Sequence, residues 1–227
     1  MIGEKFIKKS SFKIDVKVKP FKTEKEKKKF SLVKPIEEDF FIELINKRRS
    51  LREYSNKPLT IEQLSFILYS AYGVTGERDG VKLRAVPSAG AKYPIEIYVS
   101  VFNVENLLQG LYKFDENSLS LTLLSKGDFR EDFLKLTLDQ DFIKDSSVMI
   151  IMAARSLKST YRYGERGIRY VLMDASYISE NIYLASSYLN LGTCAIGAFI
   201  DDGFKEFLRL KGSETFIVLS QTVGTLK

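Results

Sequence analysis

The chain has no histidine, no tryptophan, one cysteine and five prolines among 227 residues. The missing histidine excludes Ser-His and Cys-His catalysis, histidine-ligated zinc and any proton relay through imidazole. The single thiol, Cys194, can neither close a disulfide within the chain nor build a four-thiolate zinc site, so no metal is expected. No apolar run approaches the ~20 residues that span a bilayer. The Lys-rich start lacks the apolar stretch of a secretory signal. These absences point to a cytoplasmic protein away from membranes that either does not catalyse or leaves the difficult chemistry to a cofactor.

Charge is present but unevenly placed. Residues 1–36 hold 12 lysines against Glu4, Asp15, Glu24 and Glu26, a local charge of +8 in a chain whose formal net charge is +6. The remainder is therefore slightly acidic. An anionic partner for this arm is one reading, but it has no arginine and only scattered Phe for stacking. A solvated basic arm over 1–38 is the preferred reading, with nucleic acid disfavoured.

The first 38 residues read as extended, with alternating Phe12, Ile14, Val16 and Val18 predicting a strand or docking arm. Helical spacing begins near Glu38 and runs to Arg49 through Phe40, Phe41, Leu44 and Ile45. Thr60 and Gln63 form a capping box for a helix reaching Tyr72, ended by Gly73. Residues 73–94, with four glycines and two prolines, read as one long loop. Strands are predicted over 95–102, 110–114, 119–124, 147–154, 194–199 and 215–223. Helices are predicted over 129–140, 167–189 (Leu172, Ile178, Ile182 and Leu184 inward) and 202–209. This interleaving lacks regular βαβ units, which predicts an α+β domain over 39–227 with a mixed or antiparallel sheet between helices.

Three segments could carry chemistry. Arg48-Arg49-Ser50-Leu51-Arg52 puts three guanidinium forks and a hydroxyl in five residues. That chemistry suits a phosphate. It also suits a solvated helix end whose dipole favours cations. Pro87-Ser88-Ala89-Gly90-Ala91-Lys92-Tyr93-Pro94 is a stiff loop of small residues whose backbone can approach a flat ligand, or a plain turn before a strand. Gly192 to Phe199 could expose backbone N–H groups to a ligand, or be a packed core strand. Cys194 within it reads as a small buried hydrophobe.

In order and spacing these segments resemble the FMN-dependent nitroreductase family, most closely its SagB-type dehydrogenase branch. The resemblance is carried by Arg48 to Tyr54, Pro58-Leu59-Thr60, Pro87 to Pro94, Gly110-Leu111-Tyr112, Tyr163-Gly164-Glu165-Arg166 with Arg169, Asn181, and Leu191 to Phe199. It covers roughly residues 39–224. It implies a three-layer α+β fold and a homodimer with two FMN sites, each built from both subunits. Arg48 and Ser50 would hold the FMN phosphate and ribityl chain, with Arg49 assisting. Arg52 would approach the N1/C2 edge of the flavin. Pro87, Ser88, Ala89 and Gly90 would pack on the isoalloxazine from the partner subunit. The backbone of Ile196, Gly197 and Ala198 would face flavin N5 and O4.

The implied activity is a ping-pong oxidoreductase. A donor, NAD(P)H, gives hydride to flavin N5, and a small organic acceptor takes it. Alternatives are a SagB-type oxidation of a peptide or natural-product intermediate, and a non-catalytic flavin-binding protein. Tyr163 is the candidate proton donor or acceptor. Azoline-oxidising members have Lys-Tyr where this chain has Arg162-Tyr163, and arginine is a poor base, which argues against azoline oxidation. Ala91 stands where many members have Asn, and Lys227 is the candidate for a C-terminal phosphate contact.

Overall fold

In the computed structural model, residues 2–11, 31–33 and 39–227 are described. The fold is organised by strand β6 (Val148–Arg155), whose residues 148–154 are all buried. A strand covered on both faces needs an uninterrupted apolar run, and Val-Met-Ile-Ile-Met-Ala-Ala is one. It lies inside a six-stranded sheet with β3 (Ile95–Val101), β4 (Gly110–Asp115), β5 (Ser120–Lys126), β7 (Leu191–Ile196) and β8 (Thr215–Thr225). The order is β5-β4-β3-β6-β8-β7, and every neighbouring pair is antiparallel.

Side chains alternate across the sheet and seed two cores. Val148, Ile150, Met152 and Ala154 pack with α3 (Ile61–Tyr72) and the 23-residue α6 (Arg166–Tyr188). Met149, Ile151 and Ala153 pack on the other face with Phe133 of α4 (Arg130–Leu136) and Phe204 of α7 (Asp201–Phe207). The result is the expected three-layer α+β arrangement, with the sheet wholly antiparallel. Among the described residues no helix is long and apolar enough to cross a membrane.

Helix α3 starts as its sequence predicts: Thr60 Oγ1 accepts from Gln63 N–H and Gln63 Oε1 accepts from Thr60 N–H. It ends at Gly73 without a left-handed turn (φ −62°); a Cβ there would lie 2.7 Å from the Tyr69 carbonyl oxygen.

Four expectations need correction. Residues 73–94 are not one loop: β1 (Val74–Arg78) and β2 (Val81–Arg84) form a hairpin turned by Asp79-Gly80, both at positive φ. That dipeptide is a strong two-residue hairpin signal, masked by the surrounding glycines and prolines. Leu172 of α6 is 40% exposed and faces outward. An additional helix, α5 (Leu157–Tyr163), precedes α6. Residues 2–9 form a helix, α1 (Ile2–Lys9), where an extended arm is expected. Its last carbonyls accept from α6: Arg169 Nη2 to Ile7 at 2.9 Å and Arg166 Nη1 to Ser10 at 3.2 Å. A helix end satisfied from 160 residues away is invisible to local pattern. The strand expected over 12–18 lies outside the described residues.

Candidate functional site

The short helix α2 (Phe40–Lys47) ends before the basic cluster, and Arg48 leaves it with extended backbone. The chain then runs along the sheet edge. Leu51 N–H donates to the Thr193 carbonyl of β7 at 3.0 Å. Tyr54 is 1% exposed; its hydroxyl donates to the Leu51 carbonyl at 3.0 Å and shares a hydrogen bond with Thr222 Oγ1 at 2.7 Å. Burial raises that phenol well above its ordinary range. The arginines are thus presented by an anchored edge segment rather than by a fraying helix end.

Tyr183 of α6 ties this segment to β7. Its hydroxyl lies 2.9 Å from Ser50 Oγ and accepts from Ala195 N–H at 2.9 Å. The Arg48 guanidinium sits 5.3 Å from the centre of the Tyr183 ring. Arg49 Nη1 donates to the Arg48 carbonyl at 2.7 Å, and Arg52 lies 5.7 Å from the Phe142 ring centre. Among the described residues no carboxylate forms a salt bridge with any of the three. Three neighbouring cations without a salt-bridge partner favour a bound anion, with Glu53 the one acidic side chain lining the cleft that Arg52 enters. Ser50, Arg52 and Lys227 line one cleft of about 460 Å³, so the C-terminal lysine singled out in the sequence does reach this place. Tyr183→Phe is expected to destabilise the chain by about 1–3 kcal/mol, since Ala195 N–H loses its acceptor. Urea melts check this, and unchanged stability would show that water replaces the hydroxyl.

Just past β7, Gly197 and Ala198 are exposed, while Ile196 is 1% exposed and belongs to the core. A Cβ on Gly197 would meet nothing within 4 Å, so the backbone here faces open space. The Ala198 carbonyl accepts from Gln140 Nε2 at 3.2 Å. Cys194 is buried, and burial pushes its thiol up, against Arg52. It is a packing residue, as its sequence setting implies.

The Pro87–Pro94 loop lies elsewhere. Its 3₁₀ turn, Ala89–Ala91, places Gly90 at φ 58°. A Cβ on Gly90 would come 2.5 Å from the Tyr163 hydroxyl and push that ring aside, and the φ of 58° favours glycine. Tyr163 and the small-residue loop are therefore brought together, with Tyr163 edge-on to Tyr170 at 5.0 Å. Ser88 Oγ donates to Asp174 Oδ2 at 2.6 Å and accepts from Tyr93 N–H at 2.9 Å. Pro87, Ser88, Ala89, Met173, Asp174 and Tyr177 line a cleft of about 260 Å³.

Within one chain the site residues thus form two groups: Arg48, Arg49, Ser50, Arg52 and Ile196 to Ala198, and Pro87 to Gly90 with Tyr163. Both are tied to α6, through Tyr183 and Asp174, which are about 13 Å apart along the helix axis. Sequence reasoning passed over both residues. Asp174 did leave a signal: it is an acid on the stripe Val171, Ala175, Ile178, Ile182 that α6 buries. Tyr183 left none, because a tyrosine on an apolar stripe is ordinary core.

The nitroreductase family profile matches residues 45–225. A Methanocaldococcus jannaschii protein classed with the nitroreductases is 41% identical over 176 residues, covering 78% of this chain and 87% of its own length. A nitroreductase-type structure from Anabaena variabilis superposes with a TM-score of 0.70 at 26% identity, over 82% of this chain but only 38% of that longer one. In the Escherichia coli microcin synthetase McbBCD, bound to truncated pro-MccB17, one chain superposes with a TM-score of 0.71 at 18% identity. That match covers 100% of this chain and 92% of the other. At that identity it shows the fold. The match to the family profile over most of the chain, the archaeal relative and the shared three-layer fold agree: this chain belongs to the nitroreductase family.

Proposed function

We propose that this protein is an FMN-dependent oxidoreductase that takes electrons from NAD(P)H and passes them to a small organic acceptor in a ping-pong cycle. The observation that carries the reading is the anchored trio Arg48, Arg49 and Arg52, without a carboxylate partner among the described residues, beside the open backbone of Gly197 and Ala198. These residues fit a phosphorylated, flat cofactor. Arg48, Ser50 and Lys227 would hold the phosphate end, with Arg49 assisting. Arg52 would approach the pyrimidine edge of the ring, and Ile196 to Ala198 would present backbone to it. Bound FMN supplies reversible two-electron chemistry, which is why no protein nucleophile and no histidine is needed.

A homodimer explains the split site. The loop Pro87 to Gly90 would complete the partner's cleft, bringing Tyr163 with it as a proton donor or acceptor. Exposed apolar side chains support this, since α6 turns Leu172, Met173 and Tyr177 outward and α2 turns out Phe40 and Phe41. The reducing cytoplasm suits the lone buried thiol. Residues 1–38 are read as an appended basic segment. A second reading, SagB-type oxidation of a peptide or natural-product intermediate, is favoured by the superposition on McbBCD and opposed by Arg162 in place of lysine.

The purified protein should be yellow, and anaerobic NADH or NADPH should bleach it. A colourless protein that takes up no FMN would sink the flavin reading. A yellow protein that neither donor reduces would leave the second reading and a non-catalytic flavin-binding protein standing. Arg52→Ala should lower the flavin's reduction potential by on the order of 30 mV or more, about 1.4 kcal/mol for a two-electron couple. A cation near the pyrimidine edge favours the reduced form, where negative charge gathers. An unchanged potential would show that Arg52 is not at that edge.

A further inference from the structure

We propose that Asp174 is a positioning residue whose ionisation latches the Pro87–Pro94 loop, so that retention of FMN by this site is controlled by one buried carboxylate. The latch rests on the reading that this loop touches flavin. The geometry is a two-step chain. The carboxylate of Asp174, 2% exposed on α6, accepts from Ser88 Oγ at 2.6 Å, a length expected when the acceptor is charged. The same oxygen of Ser88 accepts from Tyr93 N–H at 2.9 Å. One carboxylate therefore ties together the two ends of the loop through a single hydroxyl.

The segment so closed is strained. Gly90, Ala91 and Tyr93 all have positive φ, at 58°, 50° and 44°. A bulky residue such as Tyr93 rarely adopts that region. Backbone of this kind persists where its surroundings over-determine it. Besides Ser88, Asp174 is faced by the Tyr72 hydroxyl of α3 and by Tyr170 and Tyr177 along its own helix. Arg84 of β2 lies over the Tyr72 and Tyr93 rings at 4.1 and 4.7 Å, but it is paired with Glu116. Among the described residues no cation pairs with Asp174, so the Ser88 hydroxyl is its one hydrogen-bond donor. Burial accordingly pushes the carboxyl up to about 6, into the range where a small fall in pH protonates it. Once neutral, it holds the serine with an ordinary hydrogen bond instead of a charge-assisted one.

The test compares the unaltered chain with Asp174→Asn between pH 5 and pH 8. Asparagine keeps the shape and can still accept from Ser88, but it does not titrate. FMN affinity, read by quenching of flavin fluorescence, should be about five- to tenfold weaker in the variant at pH 8, the difference between a charged and a neutral hydrogen bond. The ratio should approach one at pH 5. Taking the ratio cancels the phosphate's own second ionisation near pH 6. Hydrogen exchange at the Tyr93 amide of flavin-free protein should show the same step, and Ser88→Ala should abolish it. A ratio independent of pH in both measurements overturns the latch. A step in exchange without one in FMN affinity overturns its link to the cofactor. If the unaltered chain binds no FMN at any pH while the exchange step remains, the flavin reading fails and the latch itself stands.

Discussion

Replacing Arg48 with alanine is expected to leave the chain folded and to weaken FMN binding about ten- to a hundredfold, the cost of losing a hydrogen bond to a charged group. The two effects separate because the guanidinium does little for the fold. Its packing partner is the Tyr183 ring at 5.3 Å, and a cation over a ring at a partly exposed position contributes about 0.5–1 kcal/mol. The anchors of the segment lie elsewhere, at Leu51 on Thr193 and at Tyr54 on Thr222. Against the small loss stands relief of repulsion from Arg49 and Arg52, so flavin-free stability should change by less than about 1 kcal/mol. With flavin present the balance reverses, because a phosphate neutralises that repulsion and the fork supplies paired donors. Thermal melts with and without FMN, beside a binding titration, give both numbers. Arg49→Ala should weaken binding less, since Arg49 is exposed and already donates to the Arg48 carbonyl. Unchanged affinity in Arg48→Ala would remove it from the phosphate site.

The elements legible in the sequence were those whose signal is local. The run from Val148 to Ala154 announces a strand covered on both faces, and Thr60 with Gln63 announces a helix start. Arg48 to Arg52 announces a dense basic cluster through composition alone, although what anchors it does not show. The Tyr54 hydroxyl is buried against Thr222, 168 residues away, and Tyr183 meets Ser50 across 133 residues. Such pairings appear only once the sheet has brought β7, β8 and α6 together. The hairpin at Asp79-Gly80 is legible by position but not by content, because its turn dipeptide sits among other glycines and prolines. The docking of α1 on Arg166 and Arg169 was not legible at all: a guanidinium that caps a distant helix looks, in sequence, like any surface arginine. The site therefore divides by physical origin. Its charged half can be read from residue types, whereas its buried polar supports require the fold.

Asp174 carries the other large expected effect, and its sign is opposite to that of most core substitutions. Asp174→Asn should stabilise flavin-free protein at pH 8, by up to about 3 kcal/mol relative to its effect at pH 4. The carboxyl ordinarily ionises near 3.8, and burial pushes it up to about 6. Between those values the folded chain holds a proton that the unfolded chain releases. Stability from the neutral form is thus fully present below about pH 4 and is lost as pH rises through 6. Asparagine never ionises, so the variant keeps that stability at every pH, and the gap between the two proteins should open across this window. For a chain of this size each kcal/mol moves the melting temperature by about 2–4 °C. Melts of both proteins at pH 4 and pH 8 measure it, and a difference that does not grow with pH would mean that Asp174 is solvated or compensated in solution. A growing difference would show a carboxylate kept at the expense of stability. That is the pattern of a group retained for what its charge does to Ser88 and the loop above it.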